Sequence, residues 1–449
     1  MNDIQRILND NILTLFYRFS IPSVIGMLAV ASAGVIDGIF LGNYVGSNAL
    51  AAVSLSSPLS ALFFGIVLML SVGGMVSAGK FLGVNNHVAA SAVFSKTIIA
   101  VAVASLILTG LFLTFTPALV GLLGADDDLY TLTLGYVRIF LYFQPLFMVG
   151  FALSYFVRVA GKPNLAGVAL LISAISNIVL DWLFITQLHW GIEGAAWATG
   201  ISYALMFFTL IPFFISGKSP FHFQVKQKNW SDLKRSALNG FSEFSNEISI
   251  GITALLFNWV MITRLGSSGV AAFAVINYIV FVGLMVSYAI GEALQPLIST
   301  HLGAKKSHRI KQVNAIAACH LVLLAVVVIS VLLFSPNTII EMFLESRDQK
   351  TISITYNFIT FFWPAFIFNG LNIACSSYFT AMHKPIHSAA IAISRSLLLP
   401  VIFLLTLPLF FGDAGIFIAI PITEILTFFL AGFLYLRNQP DKILAADKS

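Results

Sequence analysis

Six acidic side chains lie inside strongly apolar stretches of this 449-residue sequence, and they are the residues best suited to chemistry. An ionised carboxylate at the centre of a membrane helix costs about 2.5–3.5 kcal/mol on insertion scales, so acids retained at such positions are candidates for function. These acids are Asp37, Asp181, Glu243, Glu247, Glu292 and Glu424.

Asp181 ends a polar stripe on one face of a predicted helix. Asn177 and Ser173 precede it by four and eight residues, which places the three side chains one above another. A carboxylate, an amide oxygen and a hydroxyl in one line can hold Na⁺ or share a proton. A polar network that only packs membrane helices together is the alternative interpretation.

Asp37 lies among small residues, in the stretch Ala33–Gly38, which permits close helix approach or local bending. If Asp37 and Asp181 come together, burial and mutual repulsion both favour protonated forms of the pair. Protonation can then alternate with the side of the membrane that the site faces. The two acids therefore predict a site for a coupling ion.

The remaining acids give weaker candidates. Glu292 and Gln295 stand beside a proline, and Pro22 is a helix breaker near the start of the first apolar stretch. We assign Glu292, Gln295 and Pro22 a substrate-contact or gating role, while a purely structural role at the helix breaks stays open. Glu243 and Glu247, one helical turn apart, are expected on a solvated vestibule face.

Motifs typical of enzymes are not found in the sequence. His383 and His387 are four residues apart, but a proline stands between them and the glutamate of a zinc-protease helix is missing. The triplet Asp126–Asp128 fits a helix N-terminus better than a metal–diphosphate site. Cys319 and Cys375 have no ligand-spaced partner, and no phosphate-binding loop occurs. We expect no enzyme and no cofactor, with H⁺ or Na⁺ as coupling ion.

Long apolar stretches must position these residues. Hydrophobic residues make up 58% of the chain and charged residues only 10%, against about 25% charged in soluble domains, which indicates an integral membrane protein. A bilayer core takes roughly 20 apolar residues of helix. Runs of that kind recur twelve times, at 14–41, 50–79, 88–116, 129–157, 164–186, 191–215, 233–264, 269–302, 310–334, 351–381, 387–410 and 414–436. Interrupted helices are expected at Pro22, Pro145, Pro296 and Pro364.

The distribution of lysine and arginine predicts the orientation. Twenty of the 24 basic residues, Arg395 among them, fall on one side of the predicted membrane, and the positive-inside bias makes that side cytoplasmic. Both termini lie there, so we expect a multi-pass protein of a bacterial inner membrane. The opposite side carries acidic loops at 126–128 and 341–348. Basic residues are not gathered on a patch, which argues against a nucleic-acid partner.

The sequence repeats itself at an offset of about 220 residues. Val45-Gly46 returns as Leu265-Gly266, Lys162-Pro163 returns as Lys384-Pro385, and Gly191 returns as Gly412. Each half holds six predicted spans, an even number, so the second half enters the membrane from the same face as the first. Parallel repeats of this kind hold a substrate between the halves near the middle of the membrane.

The repeat predicts an all-α polytopic membrane protein of two pseudo-symmetric six-helix lobes. Residues 1–215 form the first lobe with spans 1–6, and residues 236–449 form the second lobe with spans 7–12. Residues 216–235, which are rich in basic side chains, form a cytoplasmic linker. The chemistry is less symmetric than the scaffold, because Asp37 corresponds to Phe257 in the second half and Asp181 falls opposite an apolar stretch near 402–404.

The halves, the acid in span 1 and the Lys-Pro pairs after spans 4 and 10 resemble the multidrug and toxic compound extrusion (MATE) family over essentially the whole chain. Asn177, Asp181 and Thr199 are similar to the N-lobe cation site of its DinF-like branch. The resemblance implies that Asp37 is the central coupling acid and that Tyr136 contributes to the network. A V-shaped cavity and alternating access are implied in the same way.

The chain departs from the NorM-like branch of that family, in which spans 7 and 10 carry acids. Span 10, residues 351–381, contains no carboxylate. The resemblance therefore implies coupling in the N-lobe. We favour H⁺ over Na⁺, because a proton needs only one desolvated carboxylate. Na⁺ stays open, with Asp37, Asn177, Asp181 and Thr199 as its ligands.

The expected function is export of drug-like, often cationic, small molecules across the lipid bilayer by a monomeric cation-coupled antiporter. One alternative is a lipid-linked saccharide flippase of the same superfamily, although only Arg138, Arg264 and Arg395 lie near membrane depth to hold phosphates. A second alternative is an intramembrane transferase, which lacks a metal-ligand or nucleophile constellation and leaves the duplication unexplained.

Overall fold

The computed structural model describes residues 3–224, 229–337, 340 and 349–446, and over these residues the chain is built of helices without strands. The all-α prediction is confirmed. Some residues used for the predicted orientation lie outside the described part, namely Lys226, Lys228, Glu341, Glu345, Arg347, Asp348 and Lys448.

Residues 1–240 form one compact unit and residues 241–449 a second. The helices of the first unit are α1 Asp3–Asn9, α2 Ile12–Phe40, α3 Ser47–Leu55, α4 Ser57–Gly83, α5 His87–Thr114, α6 Thr116–Leu122, α7 Asp127–Val159, α8 Pro163–Asp181 and α9 Gly191–Ile215. Two π-helical turns, Leu41–Val45 and Trp182–Gln187, follow α2 and α8. The predicted lobe boundaries at 215 and 236 stay a prediction.

The second unit begins within a long helix, α10, which runs over Ser231–Gly303. The helices after it are α11 Ser307–Phe334, α12 Gln349–Phe362, α13 Ala365–Ala381, α14 Pro385–Ile393, α15 Leu399–Phe411, α16 Asp413–Arg437 and α17 Pro440–Ala446. A π-helical turn, Ser394–Leu398, joins α14 to α15.

Twelve spans can be traced in the described residues. Ten helices are long and apolar enough to cross a membrane, and the pair α12 and α13, bent by 57° at their junction, forms one more. One of the ten is α10, and Gly266 (φ 69°, ψ −160°) inside it has a non-helical backbone that divides it into two spans. The architecture agrees with the predicted spans 1–12.

The expected helix interruptions are found only in part. Pro364 stands at the break between α12 and α13, but Pro22, Pro145 and Pro296 lie inside continuous helices. A proline removes one backbone N–H, and neighbouring helices and local adjustment of the turn can accommodate that loss without ending the helix.

Local sequence signals explain where several helices begin. Asn11, Asn86 and Asp126 each accept a hydrogen bond from a backbone N–H of the following first turn, at 2.9, 3.0 and 3.1 Å. Side chains of this kind satisfy donors that a helix leaves unpaired at its start. Asp126 is therefore a helix cap, as the sequence indicated.

The repeated sequence matches reappear as repeated backbone conformations. Gly46 and Gly266 have φ angles of 117° and 69°, and Gly191 and Gly412 have φ angles of 59° and 58°. The left-handed region is open to glycine because it has no Cβ. The repeat therefore preserves the breaks between helices as well as the apolar runs.

Candidate functional site

Two long helices of the first unit place the acids. Asp37 lies near the C-terminal end of α2, and Asp181 is the last residue of α8, directly before the π-helical turn Trp182–Gln187. Helix α2 packs along α8, so the two acids are brought to the same level. π-Helical turns within α-helices often accompany functional sites, because the extra residue changes the direction of the side chains around it.

The carboxyl groups of Asp37 and Asp181 lie close enough together to interact. Asp181 is fully buried, and the Oδ1 atom of Asp37 is shielded although its side chain is partly exposed. Within the described residues, no donor forms a hydrogen bond to either carboxylate oxygen of Asp181 or to Oδ1 of Asp37. Ionised carboxylates only accept hydrogen bonds, so the two acids can hydrogen-bond to each other only when one of them carries a proton.

This geometry suits a cation that shuttles in and out. Two buried negative charges side by side repel each other, and a shared proton removes one of them. A metal cation held between the same oxygens removes the repulsion in the same way. Chemically, a buried pair of acids of this kind can hold a proton or a small cation.

Asn177 and Thr199 complete part of the predicted constellation. Asn177 is buried on α8, one turn before Asp181, and its Nδ2 donates to Oγ1 of Thr199 on α9 over 3.4 Å. Because this amide nitrogen donates to Thr199, it does not donate a hydrogen bond to the carboxylate of Asp181. The side-chain oxygens of Asn177 and Thr199 are of the kind that coordinates Na⁺, so the described residues are compatible with either coupling ion.

Two tyrosines lie within electrostatic reach of the acids. Tyr136 of α7, buried, interacts with both Asp37 and Asp181. Tyr203 of α9 interacts with Asp37, and its ring packs against Phe147 at 4.4 Å between centroids. Sequence reasoning missed Tyr203, although it follows Thr199 by four residues and must share its helix face.

Pro22 lies apart from this cluster. It precedes Asp37 by 15 residues on the same helix, which is roughly 22 Å along the axis. Pro22 packs against α8, where a Cβ added to Gly167 would come within 2.9 Å of its side chain. Pro22 therefore lies where α2 packs against α8, and it does not contact the acid pair.

Glu292 and Gln295 belong to a second polar group, which lies in the second unit and contains three glutamates. Gln295 is buried and donates from Nε2 to Oε1 of Glu243 over 2.9 Å. Glu292 lies within electrostatic reach of both Glu243 and Glu247. Glu243 and Glu247 are both partly exposed, and the solvated vestibule face expected for them stays a prediction.

A buried ion pair between Arg395 and Glu424 was not foreseen. The Nε of Arg395 donates to Oε1 of Glu424 over 2.9 Å, with the side chains 9% and 3% exposed. Arg395 was counted among cytoplasmic residues, and this is wrong: it lies inside the candidate span Pro385–Phe411. The isolated acid Glu424 in an apolar span was the available signal, since a buried charge requires a partner.

Comparison with known proteins agrees with the fold. The family model MatE matches residues 22–183 and 251–406, one segment in each unit. A multidrug export protein of Staphylococcus haemolyticus (strain JCSC1435), MepA, is 25% identical over 445 residues, covering 98% of this chain and 96% of its own. A solved outward-facing multidrug resistance MATE family transporter of the MOP superfamily has a TM-score of 0.90 at 22% identity, covering 100% of this chain and 99% of its own. A MATE solved in complex with MaL6 has a TM-score of 0.91 at 21% identity over the full length of both chains.

Proposed function

Because this chain belongs to the MatE family of multidrug and toxic compound extrusion transporters, we propose that it exports drug-like, often cationic, compounds by alternating access in exchange for a cation. It is a multi-pass membrane transporter and not an enzyme. Relatives named as multidrug export proteins support the substrate class. The observation that supports the coupling is the position of Asp37 and Asp181 on packed helices α2 and α8, with three of their oxygens shielded from solvent and without a hydrogen-bond donor in the described residues.

The acid pair supports an exchange of a proton for a cationic compound. With one shared proton the pair carries a single negative charge, and release of that proton leaves two repelling charges in a buried site. A cationic compound that binds near the pair compensates the second charge. When a proton returns to the pair, the cationic compound is no longer needed for charge balance and is released. Binding of the proton and binding of the compound thus compete, which is the requirement for antiport.

We propose H⁺ as the coupling ion and place the protein in the DinF-like branch. Asp37 and Asp181 are both in the first unit, and span 10 of the second unit has no acid to form a NorM-like site. Na⁺ remains the competing ion, with Asn177 and Thr199 supplying additional oxygens. The flippase and the transferase are not favoured by the family match.

We further propose that the protein acts as a monomer in the bacterial inner membrane with both termini in the cytoplasm. The distribution of lysine and arginine along the sequence supports this orientation.

Ethidium efflux from an efflux-deficient bacterial host tests the coupling role. Asp37→Asn and Asp181→Asn retain the size of each side chain but remove its titration, so we expect efflux rates at least about 10-fold lower than wild type. Asp413→Asn, at an exposed acid, is the matched control and should leave efflux unchanged. Wild-type efflux by Asp37→Asn at equal expression would contradict the proposal.

Proteoliposomes with imposed gradients identify the ion. We expect a pH gradient alone to drive accumulation of ethidium by the wild-type protein, and a Na⁺ gradient alone to leave it at the background level. Export driven by Na⁺ alone would overturn the choice of H⁺ and leave the acid pair as a Na⁺ site. If no drug moves while deletion causes a lipid-linked saccharide to accumulate in cells, the flippase is correct instead.

A further inference from the structure

A cavity inside the second unit has no part in the coupling chemistry described above. It measures about 180 Å³, and every residue that lines it lies between 250 and 424. Binding sites for drug-sized molecules have volumes of roughly 300–1,000 Å³, so this cavity suits a molecule smaller than a typical drug. The acid pair belongs to the first unit, so this cavity needs an explanation of its own.

Most of the cavity wall is aromatic or aliphatic. Phe257 and Phe273 stack face to face with centroids 4.2 Å apart and planes 6° apart, and both are buried. Phe362 and Phe366 line the cavity as well. Rings of this kind bind a flat apolar body through dispersion and stacking.

The polar end of the cavity is occupied by the Arg395–Glu424 ion pair. The carboxylate of Glu424 accepts from Arg395 at 2.9 Å, from Nδ2 of Asn369 at 2.8 Å and from Nδ2 of Asn372 at 2.8 Å. It is only 3% exposed. Glu424 is thus enclosed by three donors, and a cationic ligand would have to displace one of them to reach it.

Arg395 has N–H groups that form no hydrogen bond with the described residues, in contrast to the well-bonded carboxylate of Glu424. Its Nε donates to Glu424, and its Nη1 donates to the hydroxyl of Tyr288 over 3.2 Å. A guanidinium carries five N–H groups, and within the described part of the chain no hydrogen bond involves Nη2 of Arg395. Donors therefore remain on a permanently charged group that lines the cavity.

We propose that this cavity binds aromatic organic acids, with the ring against the phenylalanine wall and the carboxylate on the remaining N–H groups of Arg395. The guanidinium fork matches a carboxylate with two parallel hydrogen bonds. A cation of the same shape meets the charge of Arg395, and the carboxylate of Glu424 is already bound by three donors. Use of the site in export rests on the proposed function, whereas binding does not.

Photolabelling of the purified full-length protein tests the site. The probes are 4-benzoylbenzoate and a cation of the same size, 4-benzoylbenzyl-trimethylammonium, applied in phosphatidylcholine nanodiscs, and the labelled peptides are mapped by mass spectrometry. We expect saturable labelling of the cavity wall by the acid, at least about 10-fold stronger than by the cation. Equal labelling by both probes, or labelling confined to other regions, would overturn the proposal.

Arg395→Lys tests the head group while retaining a cation beside Glu424. A lysine ammonium lacks the second arm of the fork, so labelling by the acid should fall by about 10-fold. Arg264→Lys, at an exposed arginine of the same unit, is the matched control and should label like wild type. If Arg395→Lys does not fold, Ala254→Phe places a ring in the cavity, leaves both residues of the ion pair in the sequence and should abolish labelling; unchanged labelling in that variant contradicts the proposal.

Two further arms separate the possible outcomes. Loss of labelling when phosphatidylglycerol replaces part of the phosphatidylcholine would show that an anionic lipid occupies the site and would overturn the proposal; persistence supports an aromatic organic acid. Ethidium efflux without labelling of the cavity overturns this inference and leaves the proposed function intact. Labelling of the cavity without any ethidium efflux supports this inference and contradicts the proposed function.

Discussion

At the scale of single residues, two carboxylates and one ion pair carry the chemistry, and their surroundings give them different roles. The Asp37–Asp181 pair receives no donor at three of its oxygens within the described residues. Glu424, in contrast, is held by one guanidinium and two amides. An acid without donors has oxygens left to bind a cation, whereas an acid with three donors is held in place by its hydrogen bonds.

The Arg395–Glu424 pair predicts a stability effect that depends on which partner is removed. Glu424→Leu leaves a buried guanidinium without its counter-ion, which typically costs about 3–5 kcal/mol. The double variant Arg395→Met with Glu424→Leu removes both charges and should melt at a higher temperature than Glu424→Leu. Scanning fluorimetry in detergent measures this, and a double variant that melts below the single one contradicts the interpretation.

At the scale of helices, glycine permits one very close crossing in the first unit. A Cβ on Gly73 of α4 would lie 1.9 Å from the carbonyl oxygen of Ser236, and one on Gly240 would lie 2.0 Å from that of Met69. Both contacts are with backbone atoms, which cannot rotate away. The hydroxyls of Ser77 and Ser236, 2.9 Å apart, add a hydrogen bond to the crossing.

Gly73→Ala should therefore separate α4 from the start of α10. Strain of this kind typically costs about 1–3 kcal/mol, so we expect a lower melting temperature and lower yield. Gly110→Ala is the matched control, because open space surrounds Gly110 and the helix gains about 0.5–1 kcal/mol from the replacement. Equal melting temperatures for the two variants would show that α4 and α10 do not cross closely.

At the scale of the whole molecule, the orientation in the membrane can be tested from outside the cell. In a background with Cys319→Ser and Cys375→Ser, Leu122→Cys lies on the predicted outer side and Lys218→Cys on the predicted cytoplasmic side; both positions are exposed. A membrane-impermeant maleimide should label only Leu122→Cys in intact cells and both variants after lysis. The opposite pattern would reverse the proposed topology.

The sequence by itself determined the membrane class, the twelve spans and the duplication. Long apolar runs have few structural solutions, since a bilayer leaves backbone groups no partner except their own helix. It also named Asp37, Asp181, Asn177 and Thr199 as a possible site, because charges persist in an apolar helix only for a reason. These signals are local and are visible in the order of residues.

Partnership between distant residues was decided only by the tertiary structure. Tyr203 joins the acids through the packing of α9, and Arg395 meets Glu424 across 29 positions of the chain. Helix rotation decides which face meets which neighbour, and an apolar sequence with polar residues on several faces does not specify that rotation. For the same reason, the acid pair was a hypothesis from the sequence, and the packing of α2 along α8 is what brings the two residues near each other.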